Sequence, residues 1–174
     1  LTVPDREMAD IRVFHQDGMN VYVQRDDHGT KEKSMVLLLN LAKGKVETLQ
    51  SEQLKTNQER HYVAVNDYGI VYRDIVYDAE GVEKDSAYYL DNGKGVKRIK
   101  ALDTYASEGN FNAAEDDQSL IAYGTFDSEK SKSIKWNTYD FKTNQVKEHK
   151  VEGSHTYRFK GSYTMIAKDK LYHI

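Results

Sequence analysis

Short runs of alternating apolar and polar residues follow one another along this chain, cut by Asp, Asn and Gly. HYVAV (61–65), IVYRDIVY (70–77), SAYYL (86–90) and GVKRI (95–99) carry Val, Ile or Tyr at two-residue spacing. That is the period of a strand with one face buried, and the polar residues between the runs are turn formers. IRVFH, NVYVQR, MVLLLNL and KVETL make the same sequence of four before it. FNAA, SLIAYGTF, IKWNTYDF and QVKEHKV repeat it afterwards, and SYTMI and KLYHI begin it again. Helical spacing shows only in SEQLKTNQER (51–60), where a single helical turn is expected.

The runs recur in register. Shifting the chain on itself by fifty residues superposes Asp17, Asp67 and Asp117, each at a turn, without a gap. Val21, Val71, Ile121 and Leu171 then fall in one column, Tyr22, Tyr72, Ala122 and Tyr172 in the next, and Val46, Val96 and Val146 further on. The three aspartates are expected to fix their turns by bonding their own backbone two residues on. Four strands repeated every 40 to 50 residues are the signature of a β-propeller blade. The expected fold is therefore all-β, built of four-stranded antiparallel units at about 8–58, 59–108, 109–157 and 158–174 in one domain spanning 1–174. A single barrel or sandwich is the alternative. Three and a half blades fall short of the usual ring of about four to eight. That points to an excerpt of a longer chain, as a start at Leu1 also suggests, or to two copies closing a ring together.

Each unit orders its elements as a turn with Asp or Gly, a VYV-like strand, a polar loop, LLNL or YDF, and then K-x-G/N-x-V. The carriers are DGMNVYV…LLLNLAKGKVETL, DYGIVYR…AYYLDNGKGVKRI and DDQSLIAY…NTYDFKTNQVKEH. This pattern resembles the blades of TolB-like and prolyl-peptidase-type propellers over nearly the whole chain. It lacks the Trp-Asp pair of WD repeats and the Gly-Gly pair of kelch repeats. The resemblance implies a fold, a protein or peptide partner and an extracellular or cell-envelope location, and it carries over no catalytic residue.

Charge narrows the partners. The 25 Lys and Arg against 28 Asp and Glu leave a net charge of −3 with the signs interleaved, so no basic block exists to neutralise the phosphates of a nucleic acid. With no Cys, disulfides and thiolate chemistry are excluded. No apolar run approaches the ~18 residues of a membrane helix. Tyr is abundant at 13 copies, which suits half-buried pleated surfaces.

In the expected architecture the linkers between second and third strands, and between units, lie on one face and are long: 25–33, 49–60, 77–86, 100–109, 126–133 and 152–159. Long loops on a rigid scaffold are where recognition concentrates. The candidate partner-binding residues are His28, Asp78, Glu80, Tyr105, His155 and Tyr157. In 77–86 four acidic residues face one lysine, which would attract a basic partner. Asp78 and Glu80 equally suit a hydrated turn around Gly81.

Catalytic signatures are sparse. There is no G-x-S-x-G for a serine hydrolase, and Ser154 beside His155 is adjacency without triad geometry. Six scattered His residues show no metal-ligand spacing, and DAEGVEKD (78–85) lacks the order of a calcium loop, so no cofactor or metal is expected. The enzyme alternative is glycoside hydrolysis, which needs two carboxylates flanking a sugar. Asp27, Asp78, Glu80 and Asp127 would be candidates, with Tyr105 and Trp136 as sugar platforms. A barrel around an apolar pocket, carrying a small ligand, is the other alternative. The leading expectation is a non-catalytic module that binds a protein or peptide.

Overall fold

In the computed structural model, the described residues are 8–28, 33–103, 112–113, 120–126, 134–149, 164–167 and 170–173. They form fourteen strands and one short 3₁₀ turn at Lys100–Leu102. The first sheet holds β1 (Met8–Asp17), β2 (Asn20–His28), β3 (Lys33–Asn40) and β4 (Lys45–Gln53), hydrogen-bonded in that order. The second holds β5 (Gln58–Asn66), β6 (Gly69–Tyr77), β7 (Glu83–Asp91) and β8 (Val96–Arg98). The third holds β9 (Asn112–Ala113), β10 (Leu120–Phe126), β11 (Ile134–Asp140) and β12 (Gln145–His149), and β13 (Thr164–Ala167) pairs with β14 (Lys170–His173). The protein is thus all-β, with four-stranded antiparallel sheets at the fifty-residue period. Among the described residues each four-stranded sheet is an open meander. No described helix is long and apolar enough to cross a membrane.

By its contacts the chain divides into two compact units, one of residues 1–63 with 71–89 and one of 64–70 with 90–174. The first unit has a core of Val23, Met35, Val36, Tyr62, Val71, Tyr72, Ile75, Ala87 and Tyr88. A ladder of rings runs through it: Phe14 against Tyr62 at 5.7 Å, Tyr62 against Tyr72 at 5.8 Å, and Tyr72 against Tyr89 at 5.6 Å. Each such pair adds about 1 kcal/mol beyond the area it buries. Phe14 reaches the ladder through a bulge, since the pairing of β1 with β2 skips it between Val13 and His15. In the second unit Ala64, Ile99, Leu102, Tyr139 and Phe141 are buried, and Phe141 meets both Tyr68 and Tyr139.

The fourth strands are sheet edges. The column Val46, Val96 and Val146 is exposed there at 67%, 56% and 39%. Edge position also explains a departure from expectation. Residues 51–60 contain no helical turn: β4 continues to Gln53, β5 begins at Gln58, and only 54–57 lie between. A strand exposed on both faces has no reason to alternate, so its polar sequence looks like a loop. Likewise β2 runs to His28 and β3 starts at Lys33, so much of 25–33 is strand. Between β6 and β7 only 78–82 remain outside strands.

The turn chemistry also differs from expectation. Tyr68 N donates to Asn66 Oδ1 at 2.9 Å, so Asn66 rather than Asp67 closes the β5–β6 turn. At β1–β2 the two-residue loop depends on Gly18 at φ +54°. Asp117 lies outside the described residues. Side-chain capping recurs instead at the hairpins after the third strands. Asn40 Oδ1 accepts from Lys43 N at 2.9 Å, Asp91 Oδ1 from Gly93 N at 2.8 Å, and Asp140 Oδ1 from Lys142 N at 2.7 Å. Asp140→Ala should cost about 1 kcal/mol through the lost hydrogen bonds. Urea unfolding would check it, and an unchanged midpoint would mean the turn holds without the carboxylate.

Candidate functional site

A cavity of about 600 Å³ belongs to the first unit. It opens at the sheet ends where β1, β3 and β5 begin and β2, β4 and β6 finish. Asp10, Ile11 and Arg12 line it from β1, Asp26 and Asp27 from β2, and Lys33 from β3. Leu54, Thr56 and Asn57 contribute from the β4–β5 loop, Gln58 to His61 from β5, and Tyr77 from β6.

A polar network, buried at Gln24 and Arg60, forms its base. In an antiparallel pair, residues opposite one another share a face, and Arg12 stands opposite Gln24 and Asp26 opposite Ser34. Gln24, 4% exposed, donates from Nε2 to Asp26 Oδ2 at 2.5 Å and to Arg60 O at 2.6 Å. Its Oε1 accepts from Tyr62 N at 3.0 Å and from Arg12 Nη2 at 3.3 Å. Arg12 Nη2 also donates to Tyr62 O at 2.9 Å. Two side chains of the first sheet therefore satisfy three backbone groups of β5, the carbonyls of Arg60 and Tyr62 and the amide of Tyr62, which a sheet edge would otherwise leave unmet. Hydrogen bonds that converge on one side chain, as these do on Gln24, favour one geometry.

Arg60 is the charged centre. It grips Asp74 with two hydrogen bonds, at 2.6 and 2.8 Å, also pairs with Glu52, and lies 3.9 Å from the centre of the Tyr72 ring. Burial pushes the guanidinium down, but the hydrogen bond and charge of Asp74 more than offset this, so Arg60 is a permanent cation. Burial pushes the Tyr62 hydroxyl up, against the pull of Arg60.

The cavity rim has its own pairs. Tyr77 donates to Glu59 Oε2 at 2.8 Å, and that bond to a carboxylate raises the phenol above its ordinary value. His61 Nε2 lies 3.3 Å from the same oxygen. Asp27 pairs with Arg25 at 2.7 Å, and Ser34 donates to Asp26 Oδ1 at 2.6 Å. The walls thus offer both signs of charge and several donors and acceptors, with the charged groups on strands and Thr56 and Asn57 on the β4–β5 loop. Among the described residues no group of three or more His, Asp or Glu gathers as a metal site.

Of the residues singled out from sequence, the structure brings Asp27 into the cavity wall. Asp78 does not line it. Its Oδ1 accepts from Glu80 N and Val82 N, both at 2.9 Å, and Gly81 adopts φ +78°, so Asp78 shapes the β6–β7 turn, on which Glu80 is exposed. His28 ends β2, next to Asp27, and its side chain lies outside the described residues. Tyr105, Asp127, Ser154, His155 and Tyr157 also lie outside them, as does the side chain of Trp136.

Sequence reasoning missed Arg12, Gln24, Asp26, Glu59 and Arg60. A signal was present for the last: in β5 the buried positions alternate as Arg60, Tyr62 and Ala64. A charge in phase with the core needs a buried partner. No family model, no curated protein and no solved structure matches the chain.

Proposed function

We propose that this chain is a non-catalytic binding module, a β-propeller-like scaffold that presents one end of its sheets to a protein or peptide partner. The observation that carries this is the cavity at that end, walled by charged side chains of both signs and seated on the Gln24–Arg60 network. Such walls meet the amide groups and mixed side chains of a peptide, and a pre-ordered base lowers the entropic cost of binding. The carboxylates of the cavity favour binding over acid–base work. Asp26 is held by Ser34 and Gln24, Asp27 by Arg25, and Glu59 by Tyr77. An extracellular or envelope location accompanies this reading, by the TolB-like pattern of the units.

Selection of a phage-displayed library of linear peptides on the purified protein tests it. A synthetic copy of the best clone is expected to bind the wild type, and to bind Lys33→Ala and Glu59→Ala about tenfold more weakly, a loss of about 1.4 kcal/mol each. Thermal stability should stay unchanged. Equal binding by both variants, or no enrichment at all, would overturn the proposal. Asp27 in the wall also keeps glycoside hydrolysis in view. Turnover of a glycan by the wild type, lost in Asp27→Asn, would support that second reading instead.

A further inference from the structure

Asn92 is the one asparagine of the chain that a glycine follows, and the pair lies exposed in the turn between β7 and β8. Asp91 Oδ1 accepts from Gly93 N at 2.8 Å, while Asn92 Oδ1 accepts from Lys94 N at 2.9 Å and from Gly95 N at 3.0 Å. A carboxylate therefore sits on the amide that follows Asn92, and two backbone donors sit on the side-chain carbonyl of Asn92 itself. Gly93, at φ +74°, brings no Cβ to crowd that amide. The other asparagine-capped turns differ. Asn40 is followed by Leu41, whose amide donates to Met19 O at 2.9 Å, and Asn66 is followed by Asp67.

We infer that Asn92 is a self-modification site, at which this turn promotes deamidation through a succinimide. Gly93 N attacks Asn92 Cγ, and its proton passes to Asp91, already the acceptor of that N–H. Lys94 N and Gly95 N stabilise the negative charge that develops on Oδ1, as an oxyanion hole does. The Cγ–Nδ2 bond then breaks, and Nδ2 leaves as ammonia with the proton that Asp91 returns. Water opens the ring at one carbonyl to give aspartate and at the other to give isoaspartate. Either product adds a negative charge beside Asp91. Isoaspartate also lengthens the backbone by a methylene where it lies against the β5–β6 turn, since a Cβ on Gly69 would stand 2.9 Å from Asn92 Cα. Chains carrying isoaspartate are expected to melt below unmodified ones.

Ageing the purified protein in warm neutral buffer tests the inference. Mass spectrometry of the tryptic peptide 85–94 follows the change of amide to acid, and enzymatic methylation detects isoaspartate. Asn92 should convert about tenfold or more faster in the folded wild type than in a blocked synthetic peptide 85–98, and about tenfold or more slower in Asp91→Ala, as loss of a positioned base and oriented donors requires. A wild type that converts no faster than the peptide would overturn the inference, because the turn would then shield Asn92 or leave it indifferent. So would a folded Asp91→Ala that ages at the wild-type rate. If Asp91→Ala fails to fold, the comparison of wild type with peptide decides alone.

Discussion

Gly69→Ala is expected to lower stability by about 3 kcal/mol or more. Gly69 opens β6 at φ +138°, a conformation that residues with a Cβ rarely adopt, at about 1–3 kcal/mol. The added methyl would also overlap the carbonyl oxygen of Asp91 and stand 2.9 Å from Asn92 Cα, where neither neighbour is a side chain able to rotate aside. Overpacking of that kind costs about another 1–3 kcal/mol. In a chain of this length the sum is a fall in melting temperature of roughly 10 °C. Gly18→Ala is the control. It has positive φ but nothing within 4 Å of the new methyl, so it should lose only the conformational part. Equal losses in the two variants would show that the approach of Asp91 does not matter.

Gln24→Leu should cost a comparable amount for a different reason. Leucine nearly preserves volume, but it strands three groups at once: Arg60 O, Tyr62 N and Asp26 Oδ2. A buried polar group left without a partner costs about 1–3 kcal/mol, so the expected loss is roughly 3 kcal/mol or more. Urea unfolding measures it. A loss under about 1 kcal/mol would mean that the edge of β5 is satisfied without Gln24, and the rigid base of the cavity would lose its main support.

The strands and their period were legible because a pleated strand writes its two faces into the sequence. Val71 and Tyr72, placed in fifty-residue columns, are indeed buried at 0% and 3%. The edges were less legible. In β4 only Gln50 is not exposed, so the alternation that marks a strand disappears, and 49–60 looked like a long linker. Asp26 and Asp27 looked like loop residues for a related reason: at a strand end, acidic residues can sit in a sheet when Ser34, Gln24 and Arg25 satisfy them.

The cavity was legible only in part. Asp27 was singled out for its charge. Gln24 and Arg12 act on the backbone of a strand 36 to 50 residues away, however, and no local spacing announces such a contact. In a chain with 30% charged residues, the type of residue alone cannot say which charges converge. What does distinguish Arg60 is its phase, since it occupies a buried position of its strand.

The central claim is that the sheet ends of the first unit receive a peptide. Amide chemical-shift mapping of the ¹⁵N-labelled protein, titrated with the selected peptide, tests it most directly. Saturable shifts should concentrate on residues 10–12, 26–27, 33 and 54–61, with Tyr77 at their margin. Shifts confined to other residues of the chain, with 10–12 and 54–61 unmoved at saturation, would contradict it.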